Sequence, residues 1–311
     1  MLKKIKKCVG VGLLVLLSSC ALLPSKPAVD ETIVNTSTYA HGATFTLAGL
    51  PAYVKEEEVY RIRDEQELAL LSLVKSEENI FKINFISDRP ISLNKTFAYL
   101  ESVLPYSFKL SLGEMNYTRK DVLLISLQSL EIMPMVDVES QVMKPALEWK
   151  ETSIHSTMSQ EEKIKVFHDR LVLNTEYDTS VLDLDLSVVQ EHPSFEAKGV
   201  FLYGTAVCSG YARAFIALAK TSNIPSLIIS SLSMQHAWNM VYDGHEWKFL
   251  DVTFNDPIPD RQDRVLYTYY LLSENQFLSG GKHRFDVSGD NTLSAAEYLE
   301  FAYRVYPETR P

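Results

Sequence analysis

Residues 234–254 read MQHAWNMVYDGHEWKFLDVTF, and their alternation decides the fold. Apolar and polar side chains alternate on either side of Asp243-Gly244, a pair that favours a two-residue turn between antiparallel strands. With that turn, Tyr242 faces His245, Met240 faces Trp247, Trp238 faces Phe249 and His236 faces Asp251. Directly opposed side chains stand about 5 Å apart at Cβ on one face of the sheet. A carboxylate opposite an imidazole holds one ring nitrogen and sets the tautomer, which leaves the other nitrogen for a nucleophile.

A nucleophile lies upstream, in GTAVCSGYARAF at 204–215. Tyr211, Phe215, Leu218 and Ala219 recur at helical spacing, and the pattern stops at Asn223 before Ile224-Pro225. Cys208 therefore falls at the helix start, where unpaired backbone N–H groups and the helix dipole favour a thiolate. Gly204 and Gly210 permit a tight entry and close approach of another chain segment. A lone cysteine is ordinarily a small buried hydrophobe. Beside a His–Asp pair it completes a candidate nucleophilic triad of Cys208, His236 and Asp251. Trp238 and Trp247 alternate with these positions and are expected to pack or to border the cleft.

These motifs resemble the transglutaminase-like superfamily. The matching pieces are GTAVCSGYARAF, Asn223-Ile224-Pro225, HAWN at 236–239, DVTF with Asp256 after it, EYD at 176–178 and YYLLSENQFL at 269–278. The resemblance covers residues 159–285 and implies a papain-like core, with Cys208 as nucleophile, His236 as base and Asp251 as orienting acid. Phe254 stands where many members have Trp. The expected fold class is α+β, a transglutaminase-like core with a smaller N-terminal α/β domain.

The other two cysteines belong to the N-terminus. Lys3, Lys4, Lys6 and Lys7 precede an apolar run of about ten residues, the proportions of a secretory signal and short of a bilayer span. The run ends in Leu17-Ser18-Ser19-Cys20, which resembles the lipobox of bacterial lipoproteins. That resemblance implies a signal peptide at 1–19, lipidation of Cys20 and a polar tether over 20–43 on the extracytoplasmic face of a bacterial cell membrane. Losing the four lysines takes the formal charge from −10 to −14. So acidic a chain offers no footprint to nucleic acid and is repelled by anionic lipid, so attachment rests on the acyl chains.

Residues 44–135 alternate short strands and helices and are expected to form the accessory α/β domain, followed by a linker at 136–158 and the transglutaminase-like domain at 159–311. Ser159 and Glu162 form a capping box opening a helix that contains His168, expected as a solvated or packing histidine. His155, His192 and His283 sit in loops without a ligand pattern, so neither a metal nor a cofactor is expected. Asp286, Ser288, Asp290 and Glu297 occupy calcium-loop spacing, but Asn291 replaces the turn glycine, and a polar turn capping the last helix is the better fit.

The function expected is a tethered thiol acyl-transfer enzyme acting on amide or peptide bonds of cell-envelope proteins or peptides, by hydrolysis or transamidation. The alternative is a non-catalytic binding module at the cell surface. A third reading assigns an assembly role to residues 57–128.

Overall fold

The computed structural model describes residues 33–39, 42–47, 59–77, 80–118, 124–184, 192–256, 258–260, 263–289 and 291–311. The signal peptide, Cys20 and most of the tether lie outside these residues, as does Asp290. The fold is α+β and divides into two compact units.

The first unit takes residues up to Leu100, apart from the extreme N-terminus, together with Phe108–Met133. Its strands are β1 (Ile33–Tyr39), β2 (Gly42–Leu47), β3 (Val59–Ile62), β4 (Lys82–Ser87), β5 (Phe108–Thr118) and β6 (Leu124–Pro134). They form one sheet in the order β1-β2-β3-β4-β6-β5. Helix α1 (Glu65–Glu77) makes the crossover between the parallel pair β3 and β4, and α2 (Leu93–Val103) follows β4. Leu68, Leu71, Ile83, Phe85, Leu100, Leu127 and Leu130 supply its core. Strand β1 lies inside the stretch expected as tether. The β-branched residues of IVNTSTY suit a pleated strand better than a coil spacer.

The second unit is built around the helix that begins at Cys208. It comprises Pro134–Pro311 with Glu101–Ser107. Ser107 N donates to the Glu196 carboxylate at 3.1 Å, and Arg213 pairs with Glu101 at 3.3 Å, so this short segment joins a domain far from it in sequence. The expected linker at 136–158 is largely helical. A π-helical turn at Glu139–Met143 leads into α3 (Lys144–Ser153), with Pro145 tolerated in the first turn.

Helix α4 (Gln160–Asn174) opens on the Ser159 capping box, with both reciprocal bonds in place. Two short strands, β7 (Glu176–Tyr177) and β8 (Thr205–Ala206), pair in parallel before α5 (Cys208–Thr221). Then come β9 (Ser226–Ser231), β10 (His236–Tyr242) and β11 (Trp247–Leu250), an antiparallel sheet with β10 in the centre. Helices α6 (Val252–Asn255), α7 (Glu274–Ser279) and α8 (Ala295–Val305) complete the unit.

Helix α5 is covered on nearly every side, with Tyr211, Phe215, Ile216 and Leu218 all at most 1% exposed. Its sheet-facing side lies on β10 and β9, and α3 and α4 cover the rest. Each large apolar side chain removed from water in this way contributes roughly 1.5–3 kcal/mol. The helix ends where Asn223 turns left-handed (φ 53°) and Ile224 N donates to Ala219 O. Asn239, on β10, reaches into the interior and donates to Ala212 O on α5 at 3.1 Å. That bond fixes the height of the helix against the strand that carries His236.

Candidate active site

The site is assembled from a helix start, a strand start and a strand end. Cys208 is the first residue of α5, His236 the first of β10, and Asp251 follows the last residue of β11. Their exposures are 7%, 9% and 0%, so the cluster is desolvated. His236 Nε2 donates to Asp251 Oδ2 at 2.6 Å. Cys208 lies near enough to act on the same imidazole, whose Nδ1 is not engaged by Asp251. Burial works against a charge on His236, but the Asp251 carboxylate and its hydrogen bond, helped by Cys208, raise it to about 10. Burial likewise opposes charge on Asp251, yet His236 and His283 hold its carboxyl far below the usual range.

The hairpin differs from the two-residue turn expected of it. Tyr242 pairs with Trp247 and Met240 with Phe249, so four residues, 243–246, make the connection. Asp243 Oδ1 accepts the N–H groups of His245 and Glu246 at 2.7 and 2.8 Å, and Gly244 takes φ 106°. The aspartate side chain thus organises a longer loop than Asp-Gly alone implies. The register moves by two positions, an even shift, so every side chain keeps its face. His236 and Asp251 therefore meet as diagonal neighbours beyond the last paired residues, instead of squarely across the sheet.

Asp251 is held by its own backbone setting. It caps α6, accepting the Phe254 N–H on Oδ1 at 2.9 Å, and its N–H donates to Tyr269 O. Helix α6 is pinned from two sides. Asn255 Nδ2 donates to His168 Nε2 at 3.0 Å, and the Tyr211 hydroxyl donates to Asp256 just beyond. His168 is therefore fully buried, not solvated. It sits in the stripe Ile164, Phe167, His168, Leu171 and Val172 that faces the core, and burial lowers its affinity for a proton.

Around Cys208 the glycines act as expected. Gly204 is left-handed (φ 66°) at the end of the turn before β8, and a Cβ on Gly210 would collide with Ser194 O. Phe254 stacks on the His236 ring at 4.6 Å and remains 37% exposed, covering one imidazole face. Trp238 is buried beneath His236 and His283, whereas Trp247 packs on Tyr242 and Tyr306 away from them.

His283 is a second imidazole on Asp251. Its Nε2 donates to the same Oδ2 at 2.7 Å, and both side chains are fully buried. No periodic pattern marks GGKHRF, and His283 joins Asp251 only through tertiary contact. Its place corrects the reading of this residue as a loop histidine without partners. His236, Asp251 and His283 bring three possible ligand atoms within 4.8 Å of one another. Their N···O separations of 2.6 and 2.7 Å are those of hydrogen bonds. Two ligands at about 2.0–2.1 Å on a tetrahedral zinc stand roughly 3.3 Å apart. A metal on Nε2 would also move the His283 proton to Nδ1, which is buried with no acceptor among the described residues. The donor set fits a hydrogen-bonded cluster better than a cation. Two of the calcium-loop residues have other partners: Asp286 accepts from residues 231–233, and Glu297 closes the Ser294 capping box of α8.

Residues 148–252, which include Cys208, His236 and Asp251, match the family model of the Transglutaminase-like superfamily. Among solved structures, one described as a TGase overlaps at a TM-score of 0.33 with 15% identity, over 71% of this chain and 65% of that one. A protein from Cytophaga hutchinsonii, described as a cysteine protease, overlaps at 0.27 with 13% identity, over 50% of this chain and 67% of that one. The chain thus spans just under two thirds of the TGase's length. No curated protein matches the sequence. Over residues 148–252, about a third of its length, the chain is thus similar to the transglutaminase-like superfamily.

Proposed function

We propose that this protein is a thiol acyl-transfer enzyme, tethered to the outer face of a bacterial cell membrane and acting on amide or peptide bonds of cell-envelope proteins or peptides. The observation that carries the reading is the buried His236–Asp251 bond of 2.6 Å, with Cys208 near enough to act on the same imidazole.

With Asp251 holding Nε2–H, the His236 Nδ1 is left to take the proton of the Cys208 thiol. The sulfur attacks the carbonyl carbon of an amide, and the carbonyl π electrons move to oxygen. As the tetrahedral adduct collapses, the C–N bond breaks and His236 protonates the departing amine, which leaves a thioester on Cys208. His236 then takes a proton from water, for hydrolysis, or from a second amine, for transfer, as that nucleophile attacks the thioester carbonyl; the C–S bond breaks and His236 returns the proton to sulfur. In either case the thiol is regenerated. Phe254 shields the imidazole face and limits the access of water to the pair.

The address rests on Leu17-Ser18-Ser19-Cys20 and the lysine-rich start. Among the described residues no helix is long and apolar enough to cross a membrane. An electrophilic peptide probe tests the chemistry. Wild-type protein should be labelled on Cys208 and the Cys208→Ala protein not at all, with unchanged circular dichroism. Labelling of both, or of neither, would refute the reading.

A further inference from the structure

We propose that residues 282–286 form a positioning strap for the nucleophilic centre, in which His283 holds the Asp251 carboxylate in place for His236. The proposal rests on the reading of Cys208, His236 and Asp251 as one reacting unit. It adds a residue that lies outside the matched family residues 148–252.

Three observations support it. Among the described residues His283 Nδ1 is buried without a partner, so the ring's one hydrogen bond there is the 2.7 Å contact with Asp251. An apolar side chain would fill the same space without an orphaned nitrogen, so the bond itself is what the imidazole supplies. The ring is clamped by aromatic neighbours, with Phe277 at 4.0 Å, Tyr269 at 4.7 Å and Trp238 at 5.2 Å between centroids. It therefore cannot swing away from the carboxylate.

The rest of the strap holds the other half of the pair. Arg284 Nη2 donates to Ser233 O at 2.9 Å, and Asp286 accepts the Leu232 N–H at 2.6 Å. Both bonds fix the loop that leads through left-handed Gln235 (φ 53°) into His236. One short segment thus ties the approach to His236 and the carboxylate of Asp251 to each other.

Asp251 has three donors, His236, His283 and the Phe254 N–H. The other titratable groups acting on or near it are Tyr269 and, on α4, His168. Removing the His283 donor raises the Asp251 carboxyl and loosens its hold on His236. The acid edge of Cys208 reactivity should then move to higher pH.

The test compares His283→Leu and His283→Gln, since the glutamine amide nitrogen reaches about as far as Nε2. Iodoacetamide alkylation of Cys208 is followed from pH 4 to 9, alongside thermal unfolding. His283→Leu should react about tenfold more slowly at pH 6, the scale of one lost hydrogen bond to a buried charge, with its acid edge displaced upward. His283→Gln should recover most of the rate and the original edge. If the leucine protein does not fold, the glutamine protein decides: near wild-type kinetics support the strap, and a tenfold loss at wild-type thermal stability overturns it. Equal loss in both variants with an unmoved pH profile would also overturn it, leaving His283 a packing residue. A second readout separates this from failure of the enzyme reading. In a Cys208→Ala background the His236 Nε2–H proton resonance reports the Asp251 bond directly. It should vanish with leucine and return with glutamine whether or not Cys208 is reactive, and its persistence with leucine would count against the strap.

Discussion

Asp256 shows at the residue scale how this domain tolerates buried acids near its reacting groups. Burial pushes its carboxyl up to about 7, with Asp260 and Glu176 adding to the rise and the Tyr211 hydroxyl bond partly opposing it. An aspartate whose folded value exceeds its unfolded value of about 3.9 binds a proton more tightly when folded. Its contribution to stability is complete below about pH 4 and is lost as pH rises through 7. Asp256→Asn, which keeps an acceptor for Tyr211, should shrink the difference in melting temperature between pH 5 and pH 8 by about 3 °C. An unchanged difference would show that Asp256 ionises freely in the fold. His236 and Asp251 set the opposite limits. The raised imidazole loses its contribution as pH climbs through about 10, and the depressed carboxylate loses its own only in strong acid. His168 was legible in principle, because it occupies one place in an apolar stripe spaced 164, 167, 168, 171 and 172. Of the two roles expected for it, solvated or packing, the structure shows the packing one.

Elements with strong local grammar were readable. The Ser159 capping box, the α5 pattern stopping at Asn223 and a strand at β10 all appear where the sequence placed them, although β10, central in its sheet, is buried on both faces and does not alternate. The hairpin was read two positions out, because the Asp243 side chain bonds the loop backbone, a competition that dipeptide preference does not weigh. His283 was not readable, since its partner lies 32 residues away and is reached through no repeating element. Two glycines allow the entry to α5 to be tested. Gly204→Ala places a Cβ in left-handed backbone and should destabilise by roughly 1 kcal/mol, with little effect on Cys208. Gly210→Ala presses on the backbone carbonyls of Ser194 and Glu196, which fixes the first turn of α5. It should lower both the melting temperature and the alkylation rate of Cys208, measured side by side with Gly204→Ala. Equal alkylation rates in the two variants would mean that the first turn does not aim the sulfur.

Across the whole molecule, the division of labour follows the chain only loosely. The second unit recruits residues 101–107 from the middle of the accessory region, because the Arg213 and Glu196 side chains draw that segment into their network. A contiguous boundary drawn from composition has no means of registering such a loan. Attachment is expected to reside in Cys20, so Cys20→Ala should leave the membrane fraction as an intact soluble protein on fractionation. Retention of the mature protein would rule out the lipid anchor. The central claim is that Cys208, His236 and Asp251 react as one unit, and the rate of Cys208 alkylation by iodoacetamide at pH 6 tests it most directly. The wild-type protein should react faster than a free thiol with a pKa of about 8.5, and His236→Ala should slow it strongly, with Asp251→Asn between them. A wild-type rate no greater than that of a free thiol, unchanged by His236→Ala, would contradict the account.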